Sequence, residues 1–246
     1  MSIEKAAEAL RKGKPVLIFD SATREGETDI VMGSEFITPS SIRMMRKDGG
    51  GLICVTMPGS AASVLGLDYL LKIYERSKMP FVKNLYPNDI PYGEKSAFSI
   101  TINHRKTFTG IPDVDRALTI SEFSKILGKA ILSKDARSKA STNRAFGRNF
   151  RTPGHVFTLI ASENLLASRK GHTELSMYLA YRAGITPSTT IVEMLGDDGH
   201  SLSKKQAMLY AKKKDLVFIE GREIIEDFFS RHGTAKQQHN HARSFR

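Results

Sequence analysis

The chain has no tryptophan and only one cysteine, Cys54, among its 246 residues. A single thiol excludes an internal disulfide. It also excludes, within one chain, a zinc site built from four cysteines or from a pair of cysteines with a pair of histidines. Long apolar runs are missing as well. The longest, such as Pro15–Phe19 and Val156–Ala161, fall far short of the roughly 20 residues that cross a bilayer. The N-terminus lacks the charged-then-apolar pattern of a secretory signal, so a cytoplasmic protein with no membrane partner is expected. There is no internal repeat, no Ser/Gly linker and no glycine fingerprint for a dinucleotide. Acidic residues are in deficit: 26 Asp and Glu against 37 Lys and Arg give a formal net charge of +11. Such a balance raises the question of a polyanion partner. A single-strand binder needs aromatics interleaved with its basic residues. The basic stretch Lys134–Arg151 offers only Phe146 and Phe150. Nucleic acid is therefore the weaker reading, beside solvated helix faces or a site for a small phosphorylated substrate.

Helix-like and strand-like segments alternate, which points to a layered α/β arrangement. Apolar residues at Ile3, Ala6, Ala7 and Leu10 recur at helical spacing, with Gly13 to close the helix. Pro15–Phe19 and Leu52–Met57 read as buried strands. Thr38-Pro39 opens a helix that stops at Gly49. A helix is expected over Asp68–Arg76, then a long loop over Ser77–Lys95. Phe98–Ile102 reads as a strand, and Thr119 and Glu122 as a capping box for a helix through Leu132. Residues 134–154 read as a second long, basic loop. Val156–Ala161, Thr189–Leu195 and Leu216–Ile219 read as strands. Helices are expected over Thr173–Ala183, from Ser203 to about Lys214, and over Arg222–Phe229. One domain over residues 1–232 is the simplest account, followed by a basic tail, 233–246, that is expected to be disordered.

Several clusters carry possible chemistry. In REGETD (24–29), an extended backbone points Glu25, Glu27 and Asp29 the same way. This is either a solvated acidic loop or an oxygen-rich site for Mg²⁺ or Mn²⁺. Arg169, Lys170, Gly171, His172 and Thr173 stand directly before an amphipathic helix. They are either an ordinary capped helix start or a phosphate loop, with Arg169 as a fork and the helix N-terminus as an anion site. His155 follows a Pro-Gly turn at the mouth of a strand, where it is either structural or catalytic. Glu193 lies inside an apolar strand, which is costly for a carboxylate unless it is paired or has a raised pKa. The polar loop from Thr109 to Arg116 is a candidate substrate loop.

The order of these motifs resembles the 3,4-dihydroxy-2-butanone 4-phosphate synthase family of riboflavin biosynthesis over about residues 3–230. It rests on REGETD (24–29), GGGLICV (49–55), Thr109-Gly110 with Arg116, RTPGHVF (151–157), RKGHTE (169–174), and Val192-Glu193 with the Asp-Asp-Gly turn at 197–199. The resemblance implies a twisted mixed sheet flanked by helices, an α+β fold in one domain. It implies a homodimer and a metal-dependent lyase using Mg²⁺ or Mn²⁺, with two ions per active site. The reaction implied converts D-ribulose 5-phosphate to formate and L-3,4-dihydroxy-2-butanone 4-phosphate. Carried over by motif, Glu25 and His172 are metal ligands, and His155, Glu193 and Asp29 are catalytic. Substrate contacts fall to Arg24, Glu25, Asp29, Thr109, Arg169, Lys170, Gly171, His172, Thr173 and Glu193. Asp20 and Cys54 match positions near the site. The sequence departs from the family at Ser21-Ala22-Thr23, where members commonly carry acidic residues.

Overall fold

The run Val16–Phe19 is apolar at every position and buried at every position. A four-residue strand of that kind can only lie inside a sheet covered on both faces. A computed structural model, which describes residues 2–86, 89–90 and 93–233, places it there as β1. Six further strands follow among the described residues: β2 (Thr28–Gly33), β3 (Cys54–Pro58), β4 (Phe98–His104), β5 (Phe150–Ala161), β6 (Thr189–Glu193) and β7 (Val217–Glu220). They form one mixed sheet in the order β4-β5-β3-β6-β2-β1-β7. β1 runs parallel to β7 and β3 parallel to β5, while the other neighbours are antiparallel.

Alternating side chains sort onto opposite faces of a strand, and two cores result. Leu17, Ile30, Met32, Val55 and Met57 point to one face. There they meet α2 (Pro39–Met44), α3 (Gly59–Leu65), α6 (Asp113–Leu132), α7 (Ala136–Asn149) and α9 (Lys204–Lys214). Val16, Ile18, Val31, Cys54 and Ile191 point to the other. That face packs on α1 (Ser2–Arg11), α8 (His172–Ala183) and α10 (Gly221–His232). The fold is thus the expected helix-covered mixed sheet, in three layers. Two lesser helices, α4 (Leu70–Ser77) and α5 (Phe81–Asn84), lie between β3 and β4 in sequence.

Five segments differ from the expectations. Residues 134–154 are not a loop: α7 begins after Asp135, whose side chain accepts a 2.9 Å hydrogen bond from Ser138 N. The helix buries Thr142 alone, so it carries no apolar stripe to betray it. Helix α6 starts at Asp113, not Thr119. The Thr119 hydroxyl accepts from His104 N (3.0 Å) and ties the helix to β4. β2 and α3 were not anticipated at all. In β2 all six residues are buried, so it shows no polar–apolar alternation. Residues 77–95 contain α5 within the expected loop. Of the basic tail, positions 234–246 lie outside the described residues.

Candidate active site

Strand direction alone collects the candidate groups. The C-terminal ends of β1, β4 and β6 and the N-terminal ends of β2, β3 and β5 all lie at one end of the sheet. Asp29 and Glu193 are direct partners across the antiparallel β2–β6 ladder, so their side chains share a face. Parity puts them with Val31 and Ile191 on the face that packs on α8. His172 is the first residue of α8 and is 5% exposed.

Three carboxylates and this imidazole define the centre. His172 Nε2 lies 3.2 Å from the Ile18 carbonyl. A carbonyl only accepts, so Nε2 carries the hydrogen. Nδ1 is turned toward Glu25 Oε2 (3.4 Å) and Asp29 Oδ1 (3.7 Å). Asp20, 4% exposed, shapes the connecting turn: its two oxygens accept from Glu25 N (3.0 Å) and Glu27 N (3.1 Å). Donor atoms of Asp20, Glu25 and His172 all lie within 4.8 Å of one another. Asp29 Oδ1 is buried without a hydrogen-bond partner. An orphaned carboxylate oxygen beside an imidazole nitrogen and two more carboxylates suits a divalent cation. The oxygen-rich set fits Mg²⁺, and the imidazole extends it to Mn²⁺. The Ile18 contact is the kind of outer hydrogen bond that fixes a ligating histidine.

Without a cation the charges perturb one another. Burial pushes the Asp29 pKa up to about 7, against the pull of His172 and with the help of Glu193, Glu25 and Glu27. Burial alone would lower the His172 pKa, but Asp29, Glu25 and Asp20 outweigh it and raise it to about 9. Burial likewise raises the Glu193 pKa, against the hydrogen bonds its carboxylate accepts. One of these comes from Leu52 N at 2.7 Å. Gly51 makes that seat possible, because a Cβ there would collide with Glu193 Oε2 and lie 2.8 Å from the Glu193 Cβ. The Cys54 thiol is buried and its pKa is raised by burial, then by Glu193 and Asp29. It is a packed, protonated thiol.

An anion clamp adjoins the centre. Arg24 reaches Asp20 (3.3 Å), Glu25 (2.8 Å) and Glu94 (2.8 Å). Arg169 reaches Glu94 (3.2 Å) and the wholly buried Glu174 (2.7 Å). Gly171, the N-cap of α8, lies between the two guanidiniums: a Cβ there would collide with Arg169 Nη1 and come within 2.7 Å of Arg24. Thr173 is buried in the first turn of α8, while Lys170 is exposed.

His155 stands on β5 at the same end of the sheet and is exposed. Asn103 on β4 holds it. The Asn103 Oδ1 accepts from His155 N (2.8 Å), and its Nδ2 donates to the Thr109 carbonyl (3.2 Å). Those two bonds orient the amide, so Nδ2 must be the group facing His155 Nδ1 at 3.1 Å. Nδ1 then accepts and neutral His155 carries its proton on Nε2. The Thr109 side chain is exposed. Asn103, Glu94, Glu174 and Gly51 were not singled out from the sequence. Gly51 and Glu174 fall within quoted motifs, but Glu94 and Asn103 carry no local signal.

Together these features place a carboxylate–imidazole cluster suited to a divalent cation beside two arginines that converge on one carboxylate. The 3,4-dihydroxy-2-butanone 4-phosphate synthase family model matches residues 4–227. The chain is 47% identical over 229 residues to 3,4-dihydroxy-2-butanone 4-phosphate synthase of Methanothermobacter thermautotrophicus, covering 92% of this chain and 95% of that one. It is 43% identical over 232 residues to the enzyme of that name from Archaeoglobus fulgidus, covering 93% and 94%. A solved structure of the Candida albicans synthase is similar at a TM-score of 0.68 and 27% identity, over 92% of this chain and 96% of that one. A synthase in complex with two magnesium ions shares the fold at a TM-score of 0.71 and 23% identity, over 94% and 98%. The chain belongs to the 3,4-dihydroxy-2-butanone 4-phosphate synthase family.

Proposed function

We propose that this chain is a carbon–carbon lyase of riboflavin biosynthesis that converts D-ribulose 5-phosphate to formate and L-3,4-dihydroxy-2-butanone 4-phosphate. The observation that carries the reading is buried Asp29, paired with half-buried Glu193, in contact with His172 and next to two converging arginines. The reaction splits a five-carbon sugar phosphate into one-carbon and four-carbon products with no net oxidation. It therefore needs proton carriers, charge stabilisation and a phosphate anchor, but no redox partner. Its route is enolisation, loss of the C1 hydroxyl, a carbon-skeleton shift and release of C4 as formate.

The residues divide these tasks. Asp29, with its pKa raised to about 7, suits a group that takes up and returns protons near neutrality, and burial raises the Glu193 pKa in the same direction. His155 offers Nε2–H to the site while Asn103 holds its other nitrogen. Arg24 and Arg169 present forks to a phosphate, and α8 adds first-turn amides with the positive end of its dipole. Thr109, Lys170 and Thr173 are assigned further contacts to that phosphate, Thr173 from the first turn of α8. Glu25 and His172 would hold Mg²⁺ or Mn²⁺, two ions per site, with Asp29 and Asp20 as neighbouring carboxylates. When bound, the cations stabilise the oxyanions that form along the route. The protein acts in the cytoplasm as a homodimer; Phe108, Ile111 and Val114, exposed near the Asn103–His155 corner, support a partner surface there.

Incubation with ribulose 5-phosphate and Mg²⁺, followed by ¹³C NMR, tests the reading. Formate and a four-carbon ketose phosphate are expected, and both should vanish with EDTA or with Glu25→Ala. Unchanged substrate in the presence of Mg²⁺ and Mn²⁺ would overturn it.

A further inference from the structure

The anion clamp already holds an anion. Glu94 Oε2 receives Arg24 Nε at 3.1 Å and Nη2 at 2.8 Å, and lies 3.2 Å from Arg169 Nε. We infer that Glu94 is a built-in competitor for the substrate's phosphate, occupying the Arg24–Arg169 clamp until a phosphate monoester displaces it. This inference rests on the reading of the clamp as the phosphate site.

The two arginines are anchored independently of Glu94. Arg169 Nη1 is bonded to Glu174 at 2.7 Å, and Glu174 is wholly buried and held in turn by Ser162 N at 2.9 Å. Arg24 Nη1 is bonded to Asp20 and Glu25. Departure of Glu94 therefore leaves both guanidiniums in place, with Arg24 Nε and Nη2 aimed at the vacated position and Arg169 Nε 3.2 Å from it. Gly171, at the N-terminus of α8, has no Cβ to obstruct that position. Glu94 itself is only partly buried, with its side chain 25% exposed, and it stands on the connection between α5 and β4 rather than on a strand or helix. Its swing to solvent gives up the charge-assisted hydrogen bonds from Arg24, which an incoming phosphate replaces. A phosphate and a carboxylate cannot share the clamp, because like charges a few ångströms apart in a half-buried site repel strongly. A phosphate wins because it brings more charge and two oxygens for bidentate pairing. A simple uncharged sugar has no means of expelling Glu94, so the exchange also selects for the phosphorylated substrate.

The alternative role for Glu94 is to hold the arginines for the phosphate, and this predicts the opposite sign. Glu94→Gln and Glu94→Ala should each bind inorganic phosphate about tenfold more tightly than wild type by isothermal titration calorimetry at low salt. The difference should shrink as ionic strength rises. The KM for ribulose 5-phosphate should fall by a similar factor. Thermal melts of both variants establish that they are folded. Phosphate affinity that is unchanged or weaker in the folded variants overturns the inference. The titration with inorganic phosphate needs no turnover. If ribulose 5-phosphate is not consumed by wild type, the functional reading fails, while the titration still decides the role of Glu94.

Discussion

Replacing Gly51 by alanine tests whether the position of Glu193, rather than its mere presence, sustains turnover. The added Cβ would collide with Glu193 Oε2 and lie 2.8 Å from its Cβ and 2.9 Å from its carbonyl oxygen. The last two belong to a strand paired on both sides, so the backbone at residue 51 and the carboxylate must both give way. Relief to an ordinary contact needs a shift of about 1 Å, which breaks the 2.7 Å bond from Leu52 N. Displacement on the order of 1 Å in a reacting group costs about 100-fold in rate. Overpacking of this kind costs about 1–3 kcal/mol of stability, or a fall in Tm of roughly 2–10 °C at this chain length. Formate release at 25 °C should therefore drop by about two orders of magnitude in kcat/KM, while circular dichroism shows a folded protein. A Gly51→Ala enzyme with wild-type kcat/KM would refute the claim that Gly51 seats the carboxylate.

Gly171→Ala should act on binding instead. Its Cβ meets the far ends of Arg169 and Arg24. Losing one charge-assisted hydrogen bond, worth about 1.5–3 kcal/mol, raises KM by about 10- to 100-fold with a smaller change in kcat; an unchanged KM would count against the clamp as the phosphate anchor. The metal-free protein should lose stability as pH rises. Asp29 is raised from 3.8 to about 7 and His172 from 6.5 to about 9. A group whose folded pKa is raised stabilises the fold fully below its unfolded value and loses that contribution as pH climbs through the folded one. In EDTA, Tm should fall between about pH 4 and 9, first through Asp29 and then through His172, by linkage at these two groups. Asp29→Asn should flatten the slope, and a pH-independent Tm in that window would contradict the coupling. Saturating Mg²⁺ at 100 times its Kd should add about 2.7 kcal/mol and raise Tm by roughly 5–10 °C, an increase that Glu25→Gln and His172→Ala should abolish.

Much of the site was legible because its chemistry is local in sequence. REGETD and RKGHTE each place a carboxylate or histidine beside an arginine within one turn of chain, and the structure keeps these together around His172. Glu193 announced itself as a charge in an apolar strand, and burial has indeed raised its pKa. Elements whose signal depends on partners were less legible. β2 is buried at every position yet opens on the polar Thr28 and Asp29, so it shows neither an alternation nor an unbroken apolar run. α7 is held by one cap and an edge of packing, so its basic surface reads as loop.

Patterning is written in the chain itself: apolar runs that must lie inside a two-faced sheet, and motifs rich in groups for phosphate, cation and proton handling. How those groups meet is a matter of the folded packing. The β2–β6 register sets Asp29 against Glu193, and a slip of one residue would turn one of them to the opposite face. Packing of α8 on that same face brings His172 to Asp29 and to the Ile18 carbonyl, which selects the nitrogen left open. Nor could any local pattern place Glu94 between two arginines from separate segments. Such a contact arises from chain crossings, and a sequence records only the neighbours along its own backbone.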